Sequence, residues 1–343
     1  MKEEQKWDKE YDVVVVGYGG AGISAAITAH DEGASVIILE KAPFPAGGQT
    51  LTSGVGAAFA RNPEKAAEFL FAVSSNGLEN ADPASRISVV PKEDCLVFMK
   101  EMARNPDWLT AMGVEHTVKT GSSALFPGFP GADSFGHVAV QGRGPQFLAS
   151  MQIQIDKRGI NVLYDTPATD LIQDIKTREI IGVHATSHGK GIAVKAKKGV
   201  VLCAGGFEFE EEMKANYLRP FPLKFSGWAY NTGDGIKMAQ RAGADLWHMN
   251  TMVGYLTIWV PEHKVSWLLI HGNGIWVNKY GRRFQNEGLP INHSRWLTYM
   301  DYNLQEPGYA SLPSYLIFDE TIRKKGPVSA CVEGSGLGIQ AYP

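Results

Sequence analysis

The hexapeptide GYGGAG at residues 17–22 has the most informative spacing in the chain. In the pattern G-x-G-x-x-G, Gly17 permits a tight turn, Gly19 lets backbone approach a pyrophosphate, and Gly22 lets a helix pack closely on a strand. The start of the following helix then offers N–H groups and a partial positive charge to phosphates. Glu40 ends the next apolar run, where a carboxylate can accept both hydroxyls of a ribose and repel a 2′-phosphate. These residues therefore predict a dinucleotide site that disfavours NADP.

The elements that must position this hexapeptide form one βαβ unit. Asp12–Val16 and Ser35–Glu40 are short apolar runs, which is typical of buried parallel strands. Gly22–His30 lies between them and has helical spacing with small residues. The sequence therefore predicts an α/β protein whose dinucleotide site lies at the first turn of a parallel sheet.

The rest of the chain alternates between helical and strand patterns up to about Asn250. Helices are predicted for 92–113, with a break near Pro106, and for 144–159 and 234–246, and strands for 160–166, 179–187, 191–196 and 199–206. Little regular structure is predicted for 42–60 and 120–140. Tryptophans become frequent after Asn250, where short strands alternate with loops. We therefore predict one domain over residues 1–250 and a second over 251–343.

The composition excludes several classes of function. The chain has 343 residues, 44% of them hydrophobic, and a net charge of −3, which gives no basic excess for nucleic acid or an anionic membrane. We find no apolar run of the roughly 20 residues that a membrane helix needs, and the charged first residues lack a secretory signal. The three cysteines have neither metal-ligand nor disulfide spacing. We expect a cytoplasmic protein with no metal, no membrane span and no nucleic-acid partner.

Five ordered segments identify a family resemblance. The loop GGQTLTSG at residues 47–54 resembles the loop beside the flavin ring in the fumarate reductase and succinate dehydrogenase flavoproteins, a family that includes 3-ketosteroid dehydrogenases. Four further segments are similar to that family in order and approximate spacing: YDTPATDLIQD, the run ending in LCAGGFEF, NTGDGIKMAQRAGADL, and GNGIWVNKYGRRFQNEG. The resemblance implies a Rossmann-like FAD-binding domain with a small β-meander, and an α+β capping domain that is incomplete here.

The resemblance also implies which residues contact FAD. The pyrophosphate is contacted by Gly17, Gly19, Gly20, Ala21 and Gly22, the ribose by Glu40 and Lys41, and the adenine by Ala168. Along the ribityl chain and isoalloxazine lie Gly47, Gly48, Gln49, Thr50, Ser53, Gly54 and Gly56. Two further segments approach the cofactor, one at Ala204, Gly205 and Gly206 and one at Thr232, Gly233 and Asp234. Asp234 is alternatively a helix N-cap. Respiratory members carry a histidine in the glycine-rich loop that bonds covalently to FAD. This loop has none, so noncovalent FAD is expected.

The chemistry implied by the resemblance is hydride transfer between flavin N5 and an activated C=C or CH–CH bond, together with proton transfer on the opposite face. In dicarboxylate-reducing members an arginine shortly after the Asn-Glu pair gives the proton. Here the ungapped position is Ile291, and an insertion would bring Arg295 there instead. The family's histidine clamp falls near Tyr255. Our candidate catalytic residues are Arg295, Tyr255, His293 and Tyr299.

Three functions remain open at this stage. An enone-like substrate, steroid-like or aromatic, is favoured for two reasons. Most of the residues with which dicarboxylate-reducing members bind and protonate their substrate have no match here, and aromatic residues are frequent after residue 250. A small unsaturated carboxylate such as fumarate or urocanate is the alternative, with Arg295 as proton donor. The family's closing segment over the flavin has no counterpart here, so a truncated, catalytically weak flavin-binding protein is the third. We find no haem motif, so the electron donor or acceptor is another, unidentified molecule.

Overall fold

The structure, a computed structural model, describes residues 6–53, 56–74, 90–120, 129–252, 257–260, 265–269, 274–288, 292–324, 329–330 and 341–342. The chain forms two compact units: one contains residues 1–52 and 155–343, and the other residues 53–154. The second unit therefore lies, in sequence, inside the domain predicted for residues 1–250. The boundary predicted at residue 250 stays a prediction.

Strands account for much of the regular structure. They are β1 Lys9–Val16, β2 Val36–Leu39, β3 Gly56–Ala60, β4 His116–Lys119, β5 Phe135–Val140, β6 Asn161–Leu163, β7 Ala168–Gln173, β8 Ile180–Ser187, β9 Lys190–Leu202, β10 Thr257–Val260, β11 Val265–Leu269, β12 Ile275–Asn278, β13 Tyr302–Asn303, β14 Gly308–Tyr309, β15 Ser314–Ile317, β16 Ser329–Ala330 and β17 Ala341–Tyr342.

The α-helices lie between these strands. They are α1 Gly20–Asp31, α2 Gln49–Thr52, α3 Pro63–Ser74, α4 Lys92–Met102, α5 Asn105–Ala111, α6 Arg143–Lys157, α7 Glu211–Tyr217, α8 Asp234–Arg241 and α9 Glu320–Arg323, with 3₁₀ turns at Ala132–Ser134 and Asn292–Tyr299. Within the described residues, no helix combines the length and the apolar character needed to cross a bilayer.

The first unit is built on a six-stranded sheet in the order β6-β2-β1-β9-β8-β7. Its first four strands are parallel, and β8 and β7 continue from β9 as an antiparallel meander. Val14, Ile37, Val183 and Val194 are fully buried in the core of this sheet. The predicted βαβ unit and meander are confirmed. The two strands predicted at 191–196 and 199–206 are instead one long strand, with a register shift in its pairing opposite Tyr11–Val13.

The second unit has a three-stranded antiparallel sheet in the order β3-β5-β4 together with α3, α4 and α5. Ala60, Cys95, Met99 and Phe135 belong to its buried core. The expectation of little regular structure in 42–60 and 120–140 is wrong at 56–60 and 135–140, where β3 and β5 pair with each other across nearly eighty residues. Such short, glycine-containing strands are stabilised by their partner rather than by intrinsic propensity. Residues 54–55 and 121–128 lie outside the described residues.

The described strands after residue 250 form small antiparallel pairings within the first unit. β10 and β11 pair with each other, β11 continues to β16 and β17, and β12 pairs with β15. This mixture of short strands and turns agrees with the change in pattern that the sequence shows after Asn250. Trp276 is buried on β12.

Candidate functional site

The loops that follow β1 and β9 come together at the point where the strand order of the sheet reverses. β2 and β6 extend from one side of β1, and β9 lies on its other side. The backbone N–H of Cys203 donates to the carbonyl of Val16 at 2.8 Å, which joins the ends of the two strands. Crevices at such reversals are where open α/β sheets bind their ligands. The fold therefore brings the predicted turn at Gly17 beside the predicted turn at 204–206.

Two glycines of the hexapeptide, Gly17 and Gly22, leave no space for a side chain. Gly17 has a φ of +106°, and a Cβ atom there would collide with the carbonyl of Cys203. A Cβ atom at Gly22 would collide with the carbonyl of Gly17. At Gly19, the N-cap of α1, a Cβ atom would lie 3.6 Å from the carbonyl oxygen of Gly47, an ordinary contact. We call residues 17–22 with 203–206 the glycine cradle. Its shape fits close approach by a pyrophosphate.

The loop at 47–50 packs directly against the glycine cradle. Gly19 and Gly47 form an isolated parallel bridge, and the backbone N–H of Gly20 donates to Thr50 Oγ1 at 3.0 Å. Gly47 and Gly48 both have positive φ values, 69° and 57°, a conformation that favours glycine. The predicted segments 17–22 and 47–50 therefore meet, with Gln49 at the start of α2. Ser53 and Gly56 belong to the other compact unit, and Gly54 lies outside the described residues.

Lys41 connects the end of β2 to the start of α8. Its Nζ donates to Thr232 Oγ1 at 2.7 Å and forms an ion pair with Asp234 Oδ2 at 2.8 Å. Gly233 is the N-cap of α8, and its N–H donates to the carbonyl of Gly206 at 3.0 Å. The alternative role of Asp234 as the N-cap is therefore wrong, because Gly233 holds that position. The predicted residues 41, 206 and 232–234 form one hydrogen-bonded group.

Glu40 is buried beneath the glycine cradle, with 7% of its surface exposed. Its Oε2 accepts the N–H of Tyr18 at 2.7 Å, and its Oε1 accepts the N–H of Ala42 at 2.7 Å. Burial raises the pKa of this carboxyl, and the two backbone hydrogen bonds partly offset the rise. Each carboxylate oxygen has two lone pairs, so anchoring the backbone is compatible with holding a ribose. Ala168, predicted at the adenine, begins β7 and is half-buried.

Three candidate catalytic residues lie on the 3₁₀ turn Asn292–Tyr299, and the side chains of two of them, Arg295 and Tyr299, are described. The Arg295 guanidinium donates to the carbonyls of Asn286 at 3.3 Å and Glu287 at 2.8 Å. The Tyr299 hydroxyl lies 3.1 Å from Ser314 Oγ. Burial raises the pKa of Tyr299 to about 12, so its phenol stays protonated at neutral pH.

The side chains of the other two catalytic candidates, His293 and Tyr255, are not described by the structure. His293 is described only by its backbone in the same turn, and Tyr255 lies outside the described residues. The Asn-Glu segment is braced by an ion pair between Arg283 and Glu287 and by the N–H of Trp276, which donates to Glu287 Oε1 at 2.8 Å. These bonds fix Glu287 against the start of β12.

Sequence reasoning missed two residues that organise the cofactor loops. Trp228 is buried against Ala42 and Ala46, which fixes the beginning of the glycine-rich loop. Asn231 is buried, and its Nδ2 donates to Glu208 Oε1 at 2.6 Å. Both stand just before the Thr-Gly-Asp-Gly stretch. Asn231 begins the quoted segment NTGDGIKMAQRAGADL, which is the signal that could have identified it, while Trp228 has no such signal in the sequence.

Comparison with known proteins agrees with this geometry. The model of the FAD binding domain family matches residues 12–319. The 3-oxosteroid 1-dehydrogenase of Mycolicibacterium smegmatis is 26% identical, over 92% of this chain and 69% of its own length. The NADH:fumarate oxidoreductase of Klebsiella pneumoniae is 30% identical, over 92% of this chain and 33% of its own length. The chain thus spans between one third and about two thirds of these two curated relatives.

Solved structures share the fold. A 3-ketosteroid delta1-dehydrogenase from Sterolibacterium denitrificans, in complex with 1,4-androstadiene-3,17-dione, superposes with a TM-score of 0.81 at 21% identity, covering 94% of this chain and 71% of that one. This confirms the predicted mixed α/β flavoenzyme fold. The family match extends from before the glycine cradle to beyond β15, so it includes every described residue of the site. The chain therefore belongs to the FAD binding domain family, and FAD is its cofactor.

Proposed function

We propose that this chain belongs to an oxidoreductase that acts on an activated C=C or CH–CH bond of an enone-like substrate, steroid-like or aromatic. The observation that carries the proposal is the glycine cradle at the reversal point of the sheet, joined to the loop at 47–50 and the Lys41–Asp234 pair. The substrate class is supported by the 3-oxosteroid 1-dehydrogenase among the relatives and by the absence from the sequence of most of the dicarboxylate set.

When bound, FAD supplies a flavin N5 that accepts or donates hydride. The protein's own residues bind and orient it: the glycine cradle receives the pyrophosphate, while Glu40 and Lys41 hold the ribose. Tyr299 serves as a hydrogen-bond or proton donor rather than as a base, because its phenol is protonated at neutral pH. Arg295 donates to two backbone carbonyls, which fixes the position of its guanidinium. We infer further that residues 251–343 act as the capping domain, above an FAD-binding domain at 1–250.

FAD is expected to be held without a covalent bond, since the glycine-rich loop GGQTLTSG contains no histidine. Acid precipitation of the yellow protein should therefore leave a colourless pellet and release all the flavin into the supernatant. The check is the absorbance of pellet and supernatant after precipitation. Flavin that stays with the denatured chain would contradict the expectation.

Substrate preference separates the enone proposal from the carboxylate alternative. With reduced viologen as electron donor, we expect reduction of a 3-ketosteroid that carries a C=C bond conjugated to its ketone to exceed reduction of fumarate and of urocanate. Tyr299→Phe should lower that turnover by about 10²-fold, the usual contribution of a positioned acid. The alternative is favoured by Arg295, which could protonate a carboxylate substrate, and by the NADH:fumarate oxidoreductase among the relatives.

The opposite pattern would replace the enone proposal with the alternative. That pattern is rapid reduction of fumarate that Arg295→Ala abolishes while Tyr299→Phe preserves it. A protein that carries FAD but turns over none of the three substrates would leave flavin binding as its demonstrated property and would contradict both substrate proposals. The flavin spectrum of each variant should be recorded first, so that loss of cofactor is not mistaken for loss of chemistry.

A further inference from the structure

Glu208 lies where three of the predicted cofactor segments meet, and it belongs to the segment ending in LCAGGFEF without being among the predicted FAD contacts. Its Oε1 accepts a hydrogen bond of 2.6 Å from Nδ2 of the buried Asn231. The backbone of Asn231 is also fixed, because its carbonyl accepts the N–H of Phe209 at 3.1 Å and its N–H donates to the carbonyl of Trp228 at 2.9 Å. The carboxylate is therefore held in one place beside the turn that follows β9.

Two glycines make room for this carboxylate. A Cβ atom at Gly206 would lie 2.7 Å from Glu208 Oε2. A Cβ atom at Gly227 would lie 3.2 Å from Glu208 Oε1 and 2.9 Å from Gln49 Oε1. The side chains of Glu208 and Gln49 thus approach the same glycine from two different loops. The carboxylate occupies space between the 204–206 turn, the 47–50 loop and the 227–231 loop.

The chemistry of this position selects one part of a bound dinucleotide. An ionised carboxylate only accepts hydrogen bonds, and it has about four lone-pair sites, of which Asn231 uses one. It repels phosphate oxygens, so the pyrophosphate is not its partner. The ribityl chain of FAD carries hydroxyl donors, and Gln49 belongs to the loop expected along that chain. We propose that Glu208 is a further cofactor-binding residue, which accepts a hydrogen bond from a ribityl hydroxyl of FAD. The proposal rests on the proposed function in that it requires FAD in the glycine cradle.

ADP provides the discriminating probe, because it shares the pyrophosphate and adenosine of FAD and lacks the ribityl chain. Glu208→Ala should weaken FAD binding by roughly 10- to 100-fold, the range for a hydrogen bond to a charged group. ADP affinity should stay within about twofold of the wild type, inside the error expected for an indirect effect. Glu208→Gln keeps an acceptor oxygen and should fall between. Affinities are measured by titration calorimetry on the flavin-free protein, with flavin fluorescence as a second readout.

Glu212→Gln is the matched control, since Glu212 is exposed on α7 and the substitution changes the net charge equally. It should leave both affinities unchanged. Equal loss of FAD and ADP binding in Glu208→Ala would mean that Glu208 only supports the turn, which would overturn the proposal. Unchanged FAD binding would overturn it too. Failure of the wild-type protein to bind FAD while it binds ADP would instead contradict the proposed function itself.

Discussion

Replacing Gly22 with alanine is expected to weaken FAD binding by at least about 100-fold and to lower the free energy of unfolding by about 3 kcal/mol. The new Cβ atom would collide with the carbonyl oxygen of Gly17 and would lie 3.4 Å from the Cβ of Cys203. Gly17 cannot move away, because its own Cβ position is already occupied by the carbonyl of Cys203. Relief therefore requires α1 to separate from the sheet, which displaces the backbone that faces the pyrophosphate.

The measurement combines calorimetric titration with FAD and chemical unfolding of the flavin-free protein. Gly191→Ala is the control: Gly191 lies on β9 of the same sheet, and a Cβ atom there meets no heavy atom within 4 Å. It should change neither quantity appreciably. A Gly22→Ala protein that is destabilised but binds FAD normally would show that the glycine cradle is needed for folding and that the pyrophosphate binds elsewhere.

The structural features around the candidate site that the sequence predicted correctly are local in the chain. Gly17, Gly19 and Gly22 lie within one turn, and the strand before them and the helix after them have patterns that can be recognised within a few residues. The same holds for Thr232–Asp234 at the start of α8. Local geometry of this kind depends on φ values and on close approach between neighbouring segments, which glycine spacing expresses directly.

The remaining parts depend on contacts between residues far apart in the chain. The pairing of β3 with β5, the packing of Trp228 on Ala42, and the bond from Asn231 to Glu208 follow from the tertiary fold, and residue types alone do not indicate them. The candidate catalytic residues are the extreme case. Whether Arg295 acts on a substrate or braces residues 286–287 is decided by the placement of one loop. The sequence alone aligns the family's proton-donor position with either Ile291 or Arg295.

Glu40→Gln is expected to lower the free energy of unfolding by about 2 kcal/mol at pH 7 and to weaken FAD binding about tenfold. The carboxylate accepts two backbone N–H groups, from Tyr18 and from Ala42. An amide has one acceptor oxygen, so its NH₂ must face one of these donors and leave it unsatisfied in a buried position. Exposed Glu32 provides the control, because Glu32→Gln removes the same charge at the end of α1. Both variants are compared by urea unfolding and FAD titration.

The effect of Glu40→Gln on the free energy of unfolding depends on pH. Burial raises the pKa of Glu40 in the folded protein above its ordinary 4.5, so the unfolded chain releases this proton first as pH rises. The stability that this group contributes is fully present below about pH 4.5 and is lost as pH rises through the folded pKa. Below that pH the carboxyl is neutral, and its hydroxyl oxygen still has a lone pair for a backbone N–H, whereas the NH₂ group of glutamine has none. The glutamine variant has no loss of stability from this group as pH rises. The stability advantage of the wild type over Glu40→Gln should therefore be greatest at low pH and shrink towards neutrality. An advantage that grows with pH would mean that the two backbone hydrogen bonds outweigh the cost of burying the charge, and that Glu40 is ionised more readily in the folded protein than in the unfolded chain.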